Sequence, residues 1–499
     1  MISLALLSAA AVAAATPAGE WPTPNGDDGA TRYSAHAAIT PENVRNLKRA
    51  WTFRTGHAAI QASRGSKFQA TPILAGDKLV LCTPYNEAIA LDPATGAALW
   101  RHDARVDLDQ EPANDFNCRG VAQWADEAPA TADAPCARRI FMGTNDHRLV
   151  ALDLATGKAC AGFGEKGVVA LDPGMALRWP GEFQITSAPS VAGDVVVVGS
   201  AIADNARRAA PAGAVRAYDV RTGALLWTFD PVPRGPDAAA LGWPASAPVE
   251  GHANVWAPMS VDAARGLVFL PTSSPSPDFF GGLRPGDNRH ANSVVALDAK
   301  TGAVRWAFQT VHHDVWDYDV PSAPILATIS VEGRRRDVVI QTTKMGFVFT
   351  LDRDTGAPVF PVEERPVPQG GVAGEALSAT QPFPTAPEPL APSKIDPEAA
   401  FGLTPLDRGA CRKALASLRR EGLFTPPSIQ GSAVFPFTGG GANWGGGAFD
   451  PQSNYLYVNV SSLVHRIALV PRADTDEEYH PLANGEQAPM QGAPYAMQR

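Results

Sequence analysis

The sequence predicts an all-β chain built as a β-propeller of four-stranded antiparallel blades. A unit of the form ALDxxTGxxxW recurs as ALDPATGAALW at 90–100, ALDLATGKAC at 151–160, AYDVRTGALLW at 217–227, ALDAKTGAVRW at 296–306 and TLDRDTGAPVF at 350–360. Its aspartates, Asp92, Asp153, Asp219, Asp298 and Asp352, are spaced by 61, 66, 79 and 54 residues, a blade-sized interval lengthened by insertions. Matching hairpin halves precede several units: ATPILAGDKLVLCT at 70–83, SAPSVAGDVVVVGS at 187–200 and SAPILATISVEGRRRDVVIQT at 322–342. Finally, 45 Gly and 45 Pro in 499 residues, with only 19% charged, interrupt the chain too often for long helices.

Each unit reads as strand, Asp-x-x-Thr-Gly turn, strand. The Asp or Thr side chain bonds the turn backbone, Gly supplies the positive φ, and the Trp that closes three of the units packs between neighbouring sheets.

In chain order, the opening MISLALLSAAAVAAA is apolar, too short to span a bilayer and followed by small residues suited to cleavage near Ala15 or Ala18. Residues 1–18 are expected to be a signal peptide and 19–499 the propeller domain, although an n-region without Lys or Arg leaves an uncleaved anchor or a misassigned start open. No later segment reads as transmembrane. Five cysteines, Cys82, Cys118, Cys136, Cys160 and Cys411, fit an oxidising compartment, match no metal motif, and leave one thiol over. A net charge of −9 and the lack of a basic stripe exclude nucleic acid as a partner; Arg334, Arg335 and Arg336 read as a solvated hairpin tip. Residues 361–431 form a Pro-rich insertion wrapping the surface, with one helix expected over 407–421 from the spacing of Ala414, Leu415, Leu418 and Leu423. A partial blade is expected at 440–460.

The densest chemistry lies at 311–319, VHHDVWDYD, followed by Lys344 in QTTKMG. On a strand, Asp317 and Asp319 would share one face while Trp316 and Tyr318 pack on the other. From the residues alone Asp314, Asp317 and Asp319 are not distinguished as candidate bases, and composition by itself favours a solvated strand end over an active site.

The chain resembles the pyrroloquinoline quinone (PQQ) dehydrogenases, in particular the membrane glucose dehydrogenase type and its soluble relatives. The resemblance runs from WPTPNGDDGATRYS (21–34) and NLKRAWTFRTG (46–56) through CRGVAQW (118–124), VWAPMSVD (255–262), TVHHDVWDYDVPSAP (310–324) and GLFTPPSIQGSAVFP (422–436) to the last residue. It implies an eight-bladed quinoprotein ring and oxidation of a sugar or polyol hydroxyl by hydride transfer to PQQ, with electrons passed to ubiquinone or a cytochrome in the periplasm. It assigns Asp317 as the base and Lys344 as the cation stabilising charge on the quinone oxygens. Trp256 is the implied stacking residue, Arg119 the carboxylate anchor, and Thr186, Asn459, Asn443 and Trp444 further contacts to the cofactor. Calcium or magnesium is the implied metal, with Asp204, Asn205 and Asp317 as ligands.

Three positions depart from the pattern. Ser274 stands where the alcohol-oxidising branch carries an Asn ligand. The adjacent cysteine pair of that branch is absent. Asp115 replaces the histidine of the glucose type, so glucose specificity does not follow, and Ser276 lies where the family approaches substrate. Two other readings stay open: a non-enzymatic propeller scaffold of outer-membrane assembly, and a quinoprotein alcohol dehydrogenase. Family members continue beyond GAPYAMQR, so the chain is expected to be C-terminally truncated, with the last blade or blades missing and little activity as written.

Overall fold

The computed structural model describes residues 21–129, 131, 134–244, 250–472 and 487–499, so the signal-peptide expectation lies outside the described residues. The repeat forms antiparallel sheets in chain order. The first is Ile73–Ala75, Lys78–Cys82, Glu87–Leu91 and Ala98–Asp103, and the second is Ala122–Ala125, Arg138–Gly143, Arg148–Asp153 and Val168–Ala170. The third is Ser190–Ala192, Val195–Val198, Val215–Asp219 and Leu225–Phe229, and the fourth is Ser260–Asp262, Leu267–Pro271, Ser293–Asp298 and Val304–Gln309. A fifth has three strands, Ile325–Val331, Arg334–Thr342 and Val348–Asp352, and the ribbon Gly447–Asp450 with Tyr455–Val458 fills the expected partial blade. From the second sheet to this ribbon, the first strand of each lies against the first strand of the next.

The repeat's turn residues and its tryptophans prove to be two halves of one contact. Asp298 Oδ1 accepts from the Thr301 backbone and hydroxyl, both at 2.9 Å, and Gly302 follows at φ +72°. A Cβ on Gly302 would stand 2.7 Å from the ring of Trp227, which belongs to the preceding sheet and donates its Nε1–H to Ala299 O at 2.9 Å. Trp100 meets Gly157 in the same way, and Trp306 meets Gly356. The glycine therefore serves the turn and also clears the seat for the neighbouring blade's indole.

A second device ties the sheets at the axis. Between Trp21 and Thr31 the chain lends carbonyls to the first strands of the first, fourth and fifth sheets and of the ribbon: Leu74 N–H donates to Trp21 O, Val261 to Asp28 O, Leu326 to Gly29 O and Phe449 to Thr31 O, each at 2.8 Å. An irregular segment thus satisfies edge donors that a propeller leaves unpaired toward its channel.

Several expectations need correction. The helix runs Pro405–Ala416 rather than 407–421, because Thr404 and Asp407 form a capping box with Pro405 in the first turn, and the chain leaves the helix after Ser417. Of the residues used to place it, Leu415 alone is both within the helix and buried, while Leu423 packs in the main core. The helix does fall inside the Pro-rich insertion, which also contains the ribbon Val362–Pro366 with Thr380–Pro384. The run at 311–319 is not a strand. The Asp314 carboxylate accepts the backbone N–H groups of Trp316 at 3.0 Å and Tyr318 at 2.9 Å, consuming donors a strand would have offered to a neighbour. The arginine triplet opens a strand, and the hairpin tip is Glu332–Gly333, both at positive φ. A four-stranded sheet not foreseen from the repeat, Ser432–Val434, His465–Pro471, Tyr495–Gln498 and Gln487–Ala488, joins the same core as Trp316 and Phe280.

Cys82 pairs with Cys118 and Cys136 with Cys160, while Cys411 is an exposed free thiol. The first bond holds the residue preceding Arg119 against the second strand of the first sheet.

The Trp–Gly seat gives a stability test. Gly302→Ala is expected to cost about 3 kcal/mol, combining left-handed strain with overpacking against Trp227. Gly193→Ala, at φ +59° with no atom near the new Cβ, should cost only about 1 kcal/mol. Urea unfolding of the two variants beside the parent checks the difference.

Candidate active site

Lys344 follows the strand Arg334–Thr342 and reaches into the loop that carries Asp317 and Asp319. Its Nζ donates to Asp317 Oδ1 at 2.9 Å, Asp319 Oδ2 at 2.9 Å and Asp317 O at 2.7 Å, which occupies all three ammonium protons. Burial alone would pull the Lys344 pKa down, but the two carboxylates outweigh it and hold the ammonium well above its ordinary value. Asp319 is fully engaged: Oδ1 accepts the Ser274 N–H at 2.7 Å and Oδ2 accepts Trp256 Nε1–H at 3.1 Å as well as Lys344. Burial raises its pKa, yet Lys344 and Ser274 together keep the carboxyl below the usual range.

Asp317 differs from its neighbours. Its Oδ2 accepts no hydrogen bond among the described residues, its side chain stays 21% exposed, and its backbone sits at φ +60°. Desolvation, only partly offset by Lys344 and reinforced by Asp319, pushes its carboxyl well above the ordinary range. Asp314 is spent on Trp316, Tyr318, Ser274 and Asn292 and does not face the site. The three aspartates that the sequence left equivalent thus differ in their partners: Asp314 is spent on its own loop, Asp319 is held by three donors, and Asp317 accepts from Lys344 through one carboxylate oxygen.

Asp317, Asp319 and Lys344 line a cavity of about 400 Å³ shared with Arg119, Thr186, Asp204, Trp256, Asn443 and Trp444. The Arg119 guanidinium stands 5.2 Å from the Trp256 ring centroid and 5.6 Å from that of Trp444, and its Nη1 donates to Thr186 Oγ1 at 2.6 Å and Trp256 O at 3.3 Å. Among the described residues no carboxylate answers it and its buried Nε has no partner, and burial brings its pKa down to about 10. A half-buried cation with unused donors between two indoles fits the carboxylate edge of a planar aromatic acid.

Asp204 reaches the cavity solvent, and its carboxyl is pushed up to about 6 by desolvation first and then by Asp278. Beside it, His252 Nδ1 lies 3.5 Å from Asp278 Oδ1, and neither His252 Nε2 nor Asp278 Oδ1 has a hydrogen-bond partner. Asp278, Asp319 and Lys344 all act electrostatically on Asp204. Among the described residues, no group of three His, Cys, Asp or Glu is gathered for ligation of a metal, so any cation here would draw on amide, hydroxyl or ligand oxygens too.

Four of the residues singled out from the sequence do not line the cavity. Asn459, the residue after the ribbon strand Tyr455–Val458, is exposed. Asn205 is buried behind Asp204 with its Oδ1 unpartnered. Ser276 accepts Gly251 N–H at 2.9 Å and donates to Arg208 O at 2.6 Å, spending its hydroxyl on the backbone. Asp115 is paired with Lys67 at 2.7 Å, and Lys67 rather than Asp115 lines the cavity. In the other direction, His252, Asp278, Asn117 and His465 line it without having been singled out. His252 precedes Trp256 by only four residues, and that proximity was the one available signal.

Residues 21–499 match the family described as PQQ: glucose/ethanol/alcohol dehydrogenase, β-propeller domain. The chain belongs to that family. It is 37% identical over 504 residues to a quinate/shikimate dehydrogenase (quinone) of Acinetobacter baylyi, covering 96% of this chain and 61% of that protein. It is likewise 37% identical over 496 residues to a quinoprotein glucose dehydrogenase of Escherichia coli, with the same two coverages of 96% and 61%. Among solved structures, the quinohemoprotein alcohol dehydrogenase of Comamonas testosteroni superposes with a TM-score of 0.66 at 25% identity, over 94% of this chain and 61% of that one. The chain thus spans about three fifths of the length of these relatives. Within this PQQ family frame, the unanswered Arg119 beside Trp256 is the feature of the cavity that a tricarboxylate would complete.

Removal of the shared cation tests the electrostatics. Lys344→Met leaves two buried carboxylates uncompensated and should destabilise the chain by about 3 kcal/mol near neutral pH. The folded pKa of Asp319 is depressed, so the stability it contributes is complete above its unfolded value of about 3.9 and is lost as pH falls through the lower folded value. The gap between variant and parent should therefore close on acidification below about pH 4, as read by denaturant unfolding at a series of pH values.

Proposed function

We propose that this chain carries the catalytic core of a PQQ-dependent dehydrogenase that oxidises a hydroxyl of a sugar or polyol. The observation that carries the reading is the division of labour around Lys344, which anchors Asp319 completely and leaves one oxygen of Asp317 free toward the cavity. When bound, PQQ supplies the acceptor for hydride leaving carbon, and a calcium or magnesium ion supplies Lewis-acid polarisation of its carbonyl.

The protein's own residues do the rest. Asp317 Oδ2 takes the hydroxyl proton, a role suited to a carboxyl whose basicity burial has raised. Lys344, already fixed by three hydrogen bonds, places positive charge beside the site without reorganising. Arg119, Thr186, Trp256 and Trp444 hold and orient the cofactor, with Asn443 fixing the backbone at Trp444 through a 2.6 Å bond from Trp444 N–H. Asp204 and Asp317 offer carboxylate oxygens to the metal, and the unpartnered Asn205 Oδ1 behind Asp204 is a further hard donor. Electron delivery to ubiquinone or a cytochrome from the periplasm belongs to the same reading, supported by the two disulfides. So does an eight-bladed ring, supported by the regular succession of first strands about one axis.

Asp317→Asn should retain PQQ, followed by its absorbance after gel filtration, and lose about 10²–10⁴-fold in turnover with a dye acceptor. Near-normal turnover in that variant would reject Asp317 as the base. Chelation should abolish dye reduction and calcium or magnesium restore it, whereas activity persisting in verified metal-free protein would reject the metal's role.

A further inference from the structure

Resting on that reading, the structure assigns a substrate subsite to the short parallel ribbon Ser66–Lys67 with Phe116–Asn117, and the subsite selects neutral polyols over hydroxy acids. The ribbon stands apart from the repeat sheets. Its register places Lys67 beside Asn117, and Tyr85 holds it from behind through a 3.1 Å bond from its hydroxyl to Ser66 Oγ and a ring contact with Phe116 at 5.4 Å. Lys67, Gln69, Asn114 and Asn117 from this region line the same cavity as Asp317 and Lys344.

Two features of this wall point to a ligand. Asn117 is 1% exposed, and its amide is spent on one side only: Nδ2 donates to Gln69 Oε1 at 2.6 Å, while Oδ1 is buried with no partner. A buried carbonyl oxygen without a donor costs free energy unless a ligand hydroxyl supplies one. The second is that Lys67 reaches the cavity with its charge already matched, its ammonium 2.7 Å from Asp115 Oδ2. Asp115 is held for that purpose at φ +58°, with its backbone carbonyl accepting Gln184 Nε2 at 3.2 Å. Gly65 leaves it room, since a Cβ there would lie 2.9 Å from Asp115 Oδ1.

A lysine so paired still has ammonium protons for hydroxyl oxygens, and beside the unpartnered Asn117 Oδ1, which accepts from a hydroxyl, it suits a vicinal diol. A substrate carboxylate would have to compete with Asp115 for the Lys67 charge. The relatives include proteins named for a hydroxy acid and for a neutral sugar, so family membership alone does not make this choice.

The test uses the full chain loaded with PQQ and calcium, assayed by dye reduction with glycerol and glucose as neutral substrates and quinate as the anionic one. Ligand-observed NMR of each compound with the same holoprotein gives binding independently of turnover. The parent is expected to bind and oxidise the neutral compounds in preference to quinate. Asp115→Asn, which frees the Lys67 charge, should shift the ratio of kcat/KM, and of affinity, toward quinate at least tenfold. Asn117→Ala should raise KM for the polyols about tenfold while PQQ occupancy is unchanged. Arg499 is another cavity cation, and Arg499→Gln should leave the preference where it was. A parent that prefers quinate, or an Asp115→Asn variant that binds and oxidises with an unchanged ratio, overturns the subsite. Loss of PQQ occupancy in Asn117→Ala would reassign that oxygen to the cofactor and likewise overturn it. A holoprotein that neither binds nor oxidises any of the three compounds would instead overturn the proposed dehydrogenase function and, with it, this inference.

Discussion

The site depends on one ammonium group. Among the described residues Lys344 alone bonds both Asp317 and Asp319, and without it two carboxylates in a desolvated loop would repel each other and take up protons. The arrangement is asymmetric for a physical reason. Asp319 has additional donors, the Ser274 N–H and the Trp256 indole, so it stays charged and immobile. Asp317 has Lys344 alone, so it keeps a free oxygen and a raised affinity for a proton. The Trp256 bond to Asp319 also links the proposed stacking surface, through Lys344, to the proposed base Asp317.

That coupling requires parts far apart in sequence to arrive at the axis together. Asp317 comes from a loop after the fourth sheet, Lys344 from the turn after a strand of the fifth, Trp256 from the approach to the fourth, and Arg119 from the segment bonded to the first by Cys82–Cys118. The blades are held in phase at two radii. Outside, each tryptophan seats on the next sheet's turn glycine; inside, the segment from Trp21 to Thr31 offers carbonyls to four of the first strands. A change that loosens either contact should therefore be felt at the cavity, although neither contact is part of it.

Much of this was legible in the sequence, and the reasons are local. The Asp-x-x-Thr-Gly turn is a short-range device, complete within five residues, so its recurrence announces the blades directly. Arg119, Trp256, Asp317 and Lys344 were found through resemblance, and they do converge on one cavity. Where local signals misled, a side chain had intervened. Asp314 turned a strand-like run into a loop, and the Thr404–Asp407 box set a helix start that hydrophobic spacing placed two residues late.

Alone, then, the sequence determined the all-β repeat, the turn chemistry, the cysteine imbalance that leaves Cys411 free, and the residue types needed for quinone chemistry. Those are matters of periodicity and composition, which neighbouring residues express without help from the rest of the chain. Only the tertiary structure decided which of three aspartates keeps an oxygen without a hydrogen-bond partner among the described residues, that Ser276 and Asp115 are spent on other partners, and that Asn117, His252 and Asp278 belong to the cavity. Those outcomes hinge on which donors and charges meet across 25 or more residues of chain, such as Lys344 with Asp319 or Asn117 with Gln69 at a separation of 48. A pKa or an unpartnered oxygen is a property of that meeting, and no single stretch of residues contains it.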